Sequence, residues 1–230
     1  MKHKNLLFSL CVGFMIVFIS AGLLARIYRR ANRKAIQVPI DPAQPSVALT
    51  FDDGPNLRYT PQVLDILYEQ QVPATFFLVG EKFPGNERMI KEMASSGHEL
   101  ENHTFSHPDL MTLDRLLIQQ EIKKTEEELK KVLPDYHMKY VRPPYGRYTK
   151  EIEDTINCPL MLWTIDSLDW KEPNADHIYA SVVSHIQDGD IVVFHDNNAQ
   201  TVEALKKIIS ELKARGFQFV TVSQIPKKGH

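Results

Sequence analysis

From Ser46 onward, short apolar runs alternate with stretches whose apolar residues recur every three or four positions. Val47, Leu49 and Phe51 alternate with Ala48 and Thr50, the period of two expected of a strand, and Gly54-Pro55 ends it. Comparable runs recur at 74–80, 98–103, 139–144, 160–166, 190–196 and 217–222. The intervening pattern predicts helices from about Pro61 and Asn86, over 112–133, from about Thr149, over 176–186, and from about Thr201. Thr60 before Pro61 offers an N-cap followed by proline in the first turn. In the longest helix Leu113, Leu116, Leu117, Ile122, Leu129 and Leu133 supply an apolar stripe, and the lysine and glutamate run takes the solvent side.

Seven strands alternating with helices predict an α/β fold with parallel strands, either an open sheet or a (β/α) barrel. The positions of the polar residues favour a barrel. Asp52 and Asp53 end the first strand, His103 the third, Arg142 the fourth, Asp166 the fifth and His195 the sixth, and in a barrel all these ends share one rim. Residues 46–230 fall short of the roughly 250 typical of such barrels, so the expectation is a distorted or incomplete one of about seven strands.

Residues 6–25 carry no charge, and twenty residues at about 1.5 Å each span roughly 30 Å, the thickness of a bilayer's hydrocarbon. A transmembrane helix is expected there, with a cleaved signal peptide and secretion as the alternative. The expected organisation is a short tail at 1–5, the membrane helix at 6–25, a basic, proline-containing linker at 26–45 and one catalytic domain at 46–230. Lys2 and Lys4 precede the helix, whereas Arg26, Arg29, Arg30, Arg33 and Lys34 follow it. By the positive-inside rule alone this flank favours a cytoplasmic C-terminus. Seven of the 27 basic side chains lie in residues 1–45, with one of the 29 acids, so the remainder carries a net charge of −8. An acidic domain without a basic stripe argues against nucleic-acid binding, and the juxtamembrane arginines suit lipid phosphates. Of the two cysteines, Cys11 lies in the apolar run and Cys158 has no soluble partner, so no disulfide framework is implied.

Adjacent carboxylates at a strand's end can divide two tasks, one binding a cation and one moving a proton, although Asp-Asp-Gly also suits a solvated turn. His103 and His107 stand four apart, a spacing that brings two imidazoles to one face of a coiled segment. Two histidines and one carboxylate leave open positions on a divalent ion, as a catalytic site needs. Trp170 suits a sugar face or the core, Trp163 suits the core, and His98, His137, His177 and His185 are expected to be structural or exposed.

The chain resembles the polysaccharide deacetylases of carbohydrate esterase family 4 through five ordered motifs: TFDDGP at 50–55, HTFSHP at 103–108, RPPYG at 142–146, DSLDW at 166–170 and VFH at 193–195. The resemblance implies a distorted (β/α) barrel and hydrolysis of N-acetyl or O-acetyl groups on sugar polymers. It implies Asp53, His103 and His107 as metal ligands, Asp52 as general base held by Arg142, His195 as general acid held by Asp166, and the Tyr145 main chain as oxyanion donor. Pro143, Pro144, Tyr145, Trp170 and Val193 are the expected substrate-binding residues; the family usually has Leu where this chain has Val193, a change that reshapes the acetyl pocket. The implied cofactor is one divalent ion, with zinc fitting best and cobalt, nickel and manganese accepting similar ligands. The implied partner is an acetylated polysaccharide, peptidoglycan or another N-acetylglucosamine polymer first, which puts the domain outside the membrane. Acetylated xylan, a non-catalytic glycan-binding role and a two-histidine, one-carboxylate iron oxygenase are the alternatives.

Overall fold

The computed structural model describes residues 33–225. Strand β1 (Ser46–Gly54) is its axis, with parallel partners along both edges. One edge pairs with β5 (Asp190–His195) from Val47 to Asp52. The other is divided: β6 (Gln218–Val220) takes Ser46 to Ala48, and β2 (Thr75–Leu78) takes Thr50 to Gly54. Beyond β2 lies β3 (Glu99–Asn102), and beyond β5 lies β4 (Ile165–Asp166). Single bridges Asn102↔Val141 and Val141↔Leu160 then lead from β3 into the segment that carries β4, so the path of pairings returns to β1.

Among the described residues six strands form where seven were expected, because side chains take the bonds that two ladders would need. The main-chain N–H groups of Lys139 and Tyr140 donate to Glu101 Oε2 at 2.7 and 2.8 Å, and Pro143 and Pro144 have no N–H to give. Only the bridge at Val141 remains of the expected strand 139–144. In 160–166, the carbonyls of Met161 and Leu162 accept from the Arg142 guanidinium at 2.9 and 3.1 Å, which leaves a two-residue β4.

The helices are α1 (Thr60–Glu69), α2 (Glu87–Ser95), α3 (Arg115–Val132), α4 (Lys150–Ile156), α5 (Ala175–Val183) and α6 (Ala199–Ala214). Tyr59, not Thr60, stands at the N-cap of α1; the Thr60 hydroxyl accepts from Asn56 N–H at 2.7 Å and donates to Asp196. Helix α3 starts later than expected, since Leu110–Thr112 form a 3-10 turn and the Asp114 carboxylate caps the Leu117 N–H. Its buried side is Ile118, Ile122, Thr125, Leu129 and Val132, whereas Leu116 and Leu117 of the expected stripe face solvent.

Strand alternation sorts the core into two layers. Val47, Leu49 and Phe51 belong to the large cluster shared with the helices, where Phe51 stacks on Phe76 and Phe194 at 5.2 and 5.6 Å. Ala48 packs on the other side with Phe77 and Val222. Along that inner side the sequence Ala48, Thr50, Asp52 grows more polar toward the strand's carboxyl end, and all three are buried.

The expected membrane helix at 6–25 lies outside the described residues; among the described residues no helix is long and apolar enough to cross a membrane. The compact unit begins at Ile36, ten residues before β1. Residues 36–45, read in the sequence as a spacer, are fastened to the domain. Ile36 is buried and its N–H donates to Ser96 O at 2.9 Å, an approach that Gly97 permits: a Cβ there would stand 2.9 Å from Ile36 O. The Gln218 amide accepts from Asp41 N–H and donates to the Asp41 and Gln44 carbonyls.

Glu101 is buried with Oε1 free of hydrogen bonds, and burial, reinforced by Glu99, raises its pKa to about 8 despite the two N–H donors. Its folded pKa lies above the ordinary 4.5, so the stability it supports is complete below about pH 4.5 and declines as pH rises toward 8. Glu101→Gln should flatten that decline, melting closer to the parent at pH 5 than at pH 9 and above it at pH 9. Thermal melts at the two values check this; an unchanged pH profile would place the proton elsewhere.

Candidate active site

Extended backbone would send Asp52 and Asp53 to opposite faces, yet both line one pocket of about 340 Å³. Asp53 achieves this with a left-handed φ of 69°, at the point where the β1–β2 register shifts. Four other non-glycine residues with positive φ, Thr104, His107, Tyr145 and Leu168, lie in the motif segments around the pocket, out of seven in the described chain. Backbone strain concentrated in this way marks a functional constellation.

Asp53 Oδ1 lies 3.2 Å from His107 Nε2 and 3.5 Å from His103 Nε2, and ligand atoms of the three residues fall within 4.8 Å of one another. Asp53 Oδ1 is buried and makes no hydrogen bond. His103 Nδ1 is held at 2.7 Å by the Arg142 carbonyl, which fixes the proton on Nδ1 and leaves the Nε2 lone pair turned to Asp53. An orphaned carboxylate oxygen facing an oriented imidazole fits a divalent cation. Burial raises the Asp53 pKa, but the flanking imidazoles outweigh it and hold the carboxyl well below the usual range. His103 is buried and His107 half-buried, with the Tyr145 ring edge-on to His107 at 4.9 Å.

Asp52 is 2% exposed and accepts from Arg142 Nη1 at 2.6 Å. Arg142 is fully buried, and the same nitrogen reaches Thr50 Oγ1 at 2.8 Å while its plane lies 3.8 Å from the Phe77 ring centre. Burial lowers the Arg142 pKa and Asp52 raises it back in part.

The expected partner of His195 is corrected. Asp169, not Asp166, accepts from His195 Nδ1 at 2.7 Å, and its other oxygen accepts from the His195 main-chain N–H at 2.8 Å and from Thr201 Oγ1 at 2.6 Å. Asp166 lines the pocket but accepts from Leu168 N–H and, at 3.2 Å, from Trp170 Nε1. The left-handed turn at Leu168, φ 59°, carries the second acid of DSLDW under the histidine. Burial opposes protonation of His195, but Asp169, with Asp52 and Asp53 beyond, raises its pKa to about 9.

Of the expected substrate-binding residues, Tyr145, Trp170 and Val193 line the pocket, the first two strongly exposed and Val193 buried. Pro143 and Pro144 are buried and do not line it. Trp163, expected in the core, lines the pocket with its ring against Gly146, where a Cβ would stand 2.8 Å from it. Asn197 also lines it, with no signal in the sequence beyond its nearness to His195.

The family model for polysaccharide deacetylases matches residues 40–158. The chain belongs to this family. It is 36% identical to a chitooligosaccharide deacetylase of Sinorhizobium fredii over 189 residues, 75% of this chain and 88% of that protein. It is 39% identical to a peptidoglycan-N-acetylglucosamine deacetylase of Bacillus cereus over 186 residues, 76% of this chain and 66% of that one. Among solved structures, the peptidoglycan deacetylase PdaC of Bacillus subtilis superposes with a TM-score of 0.78 at 36% identity, covering 81% of this chain and 92% of that one.

For this deacetylase-family chain, the pairing at His195 predicts separable effects of the two acids in DSLDW. In the metal-free chain Asp169→Asn should lower the His195 pKa from about 9 toward 6.5, while Asp166→Asn leaves it near the parent value. Nuclear magnetic resonance titration of the imidazole reads both, and the reverse order would restore Asp166 as the partner.

Proposed function

We propose that this chain is a metal-dependent deacetylase that removes N-acetyl groups from N-acetylglucosamine residues of a cell-wall polysaccharide, peptidoglycan first. The observation that carries this reading is the presence of Asp52 and His195 beside the Asp53, His103 and His107 cluster in one pocket. A binding module needs no proton-handling pair. The names of the similar proteins from Bacillus cereus and Sinorhizobium fredii support the substrate class. The closed path of parallel pairings supports the reading of the fold as a distorted barrel.

Asp53, His103 and His107 would hold the divalent ion, zinc fitting this ligand set best, and when bound it lowers the pKa of a water molecule and polarises the acetyl carbonyl. Asp52 accepts the proton of the attacking water, and the Arg142 guanidinium keeps that carboxylate ionised until then. His195 gives its Nε2 proton to the departing amine, while Asp169 holds Nδ1–H, which favours the protonated ring and fixes its orientation. The Tyr145 main-chain N–H is assigned to the developing oxyanion, a role that its left-handed φ of 60° suits. Val193, buried in the pocket lining, accommodates the acetyl methyl, and Trp170 and Tyr145 offer aromatic faces to the sugar.

Residues 6–25 are proposed as a membrane anchor that keeps the domain on the outer side, where such polymers lie. The basic residues after that run would meet lipid phosphates.

The test is acetate release by the full-length, zinc-loaded chain from peptidoglycan, chitin oligomers, poly-N-acetylglucosamine and acetylated xylan. Release from the first three is expected to exceed that from xylan. Asp52→Asn should reduce release at least about 10²-fold, the lower range for a lost general base, with zinc content and glycan affinity kept. Undiminished release would remove Asp52 from the role of base, and glycan binding without release by either form would make the protein a binding module.

A further inference from the structure

The metal-binding histidines are joined by Thr104, Phe105 and Ser106, whose main chain is held from outside at nearly every polar group. The Thr104 and Phe105 carbonyls accept from the N–H groups of Gly80 and Glu81 at 3.0 and 2.8 Å. Thr104 N–H donates to Asn102 Oδ1, and His107 N–H to Thr104 Oγ1. The remaining two N–H groups, of Phe105 and Ser106, converge on a single carboxylate oxygen: Glu121 Oε2 accepts both, at 2.9 and 2.7 Å. Glu121 Oε1 accepts from the Ser106 hydroxyl at 2.9 Å.

We propose that Glu121, on helix α3, is a positioning residue that sets the affinity of the site for its divalent ion by clamping the loop between His103 and His107. The inference rests on the assignment of those histidines as ligands. Three hydrogen bonds to an ionised acceptor are about twice as strong as neutral ones, and consecutive N–H groups aimed at one anion form the concavity that binds anions elsewhere. The clamp has work to do, because Thr104 and His107 both sit at positive φ, 68° and 58°, a conformation that non-glycine residues abandon when released. Glu121 is not among the residues lining the pocket, and its side-chain hydrogen bonds go to Phe105 and Ser106 rather than to a ligand side chain. It acts by keeping both imidazoles in place before the ion arrives, so that binding need not order the loop.

The experiment is titration of the metal-free full-length chain with Zn²⁺ against a chromophoric chelator, with Co²⁺ absorption reporting the geometry of the site. Glu121→Ala should weaken Zn²⁺ binding about 10- to 100-fold, the range for residues that orient metal ligands. Glu121→Gln, which keeps an acceptor but not the charge, should fall between, and decides the matter where the alanine variant does not fold. Turnover at saturating Zn²⁺ should recover most of the parent value, since ligands, base and acid are intact. Glu127→Ala is the control: Glu127 lies on the same helix, exposed and paired with Lys123 at 3.2 Å, and should leave Zn²⁺ affinity unchanged. Parent affinity in the folded Glu121 variants, or an equal loss in Glu127→Ala, would overturn the proposal. His103→Ala in the same titration separates the two levels: if it keeps Zn²⁺, the ligand assignment fails; if it loses Zn²⁺ while the Glu121 variants do not, only the clamp fails.

Discussion

The buried pair of Arg142 and Asp52 holds together features that would otherwise be independent. One guanidinium, without exposure to solvent, binds the Asp52 carboxylate, the Thr50 hydroxyl and the carbonyls of Met161 and Leu162, while the arginine's own carbonyl fixes His103. The proposed base, one proposed metal ligand and the segment that carries β4 therefore share a residue. Removing one member of a buried ion pair typically costs about 3–5 kcal/mol, because the other is left charged and unpaired. Here loss of the guanidinium would also free two main-chain acceptors, the carbonyls of Met161 and Leu162. Phe77 under the guanidinium plane completes its enclosure.

Around that pair, the reactive groups reach the pocket by departures from regular structure. Asp53, His107 and Tyr145 have left-handed backbone, and Leu168 turns the same way to bring Asp169 under His195. A regular strand delivers one inward residue at its end; these turns deliver the next one as well. The regular part supplies the constraint that makes them affordable: β1 is paired along both edges and buried except at half-buried Asp53, so its end has little freedom to relax.

Much of this was legible before the fold was known. Apolar strand-like runs located β1, β2, β3, β5 and β6, and the polar residues ending them named Asp52, Asp53, His103 and His195, all of which line the pocket. What the pattern missed has physical causes. Side-chain carboxylates and guanidinium groups competed for main-chain partners at 139–144 and 160–166, which local hydrophobicity does not report. In DSLDW, two acids three residues apart look alike in sequence, and only the left-handed turn at Leu168 decides which one meets His195. Trp163 stands in the apolar run LMLWTI, which points to the core, yet it packs on Gly146 at the pocket wall. Residues 36–45 carry no periodicity, so their attachment through Gln218 and Ser96 left no trace in their own composition.

The two-sided layering of β1 bears on how such a chain can change over evolutionary time. Phe51 faces the aromatic stack with Phe76 and Phe194, and Asp52 faces Arg142. Inserting or deleting one residue between Ser46 and Phe51 would exchange the two faces for part of the strand, sending carboxylate into the stack or phenyl ring onto the guanidinium. Neighbouring strands could not follow, since β2, β5 and β6 hold separate registers against the same nine residues. Substitutions in this strand can be tried singly, but its length is fixed, and variation in chain length among working relatives has to be taken up in the connections that lie outside it.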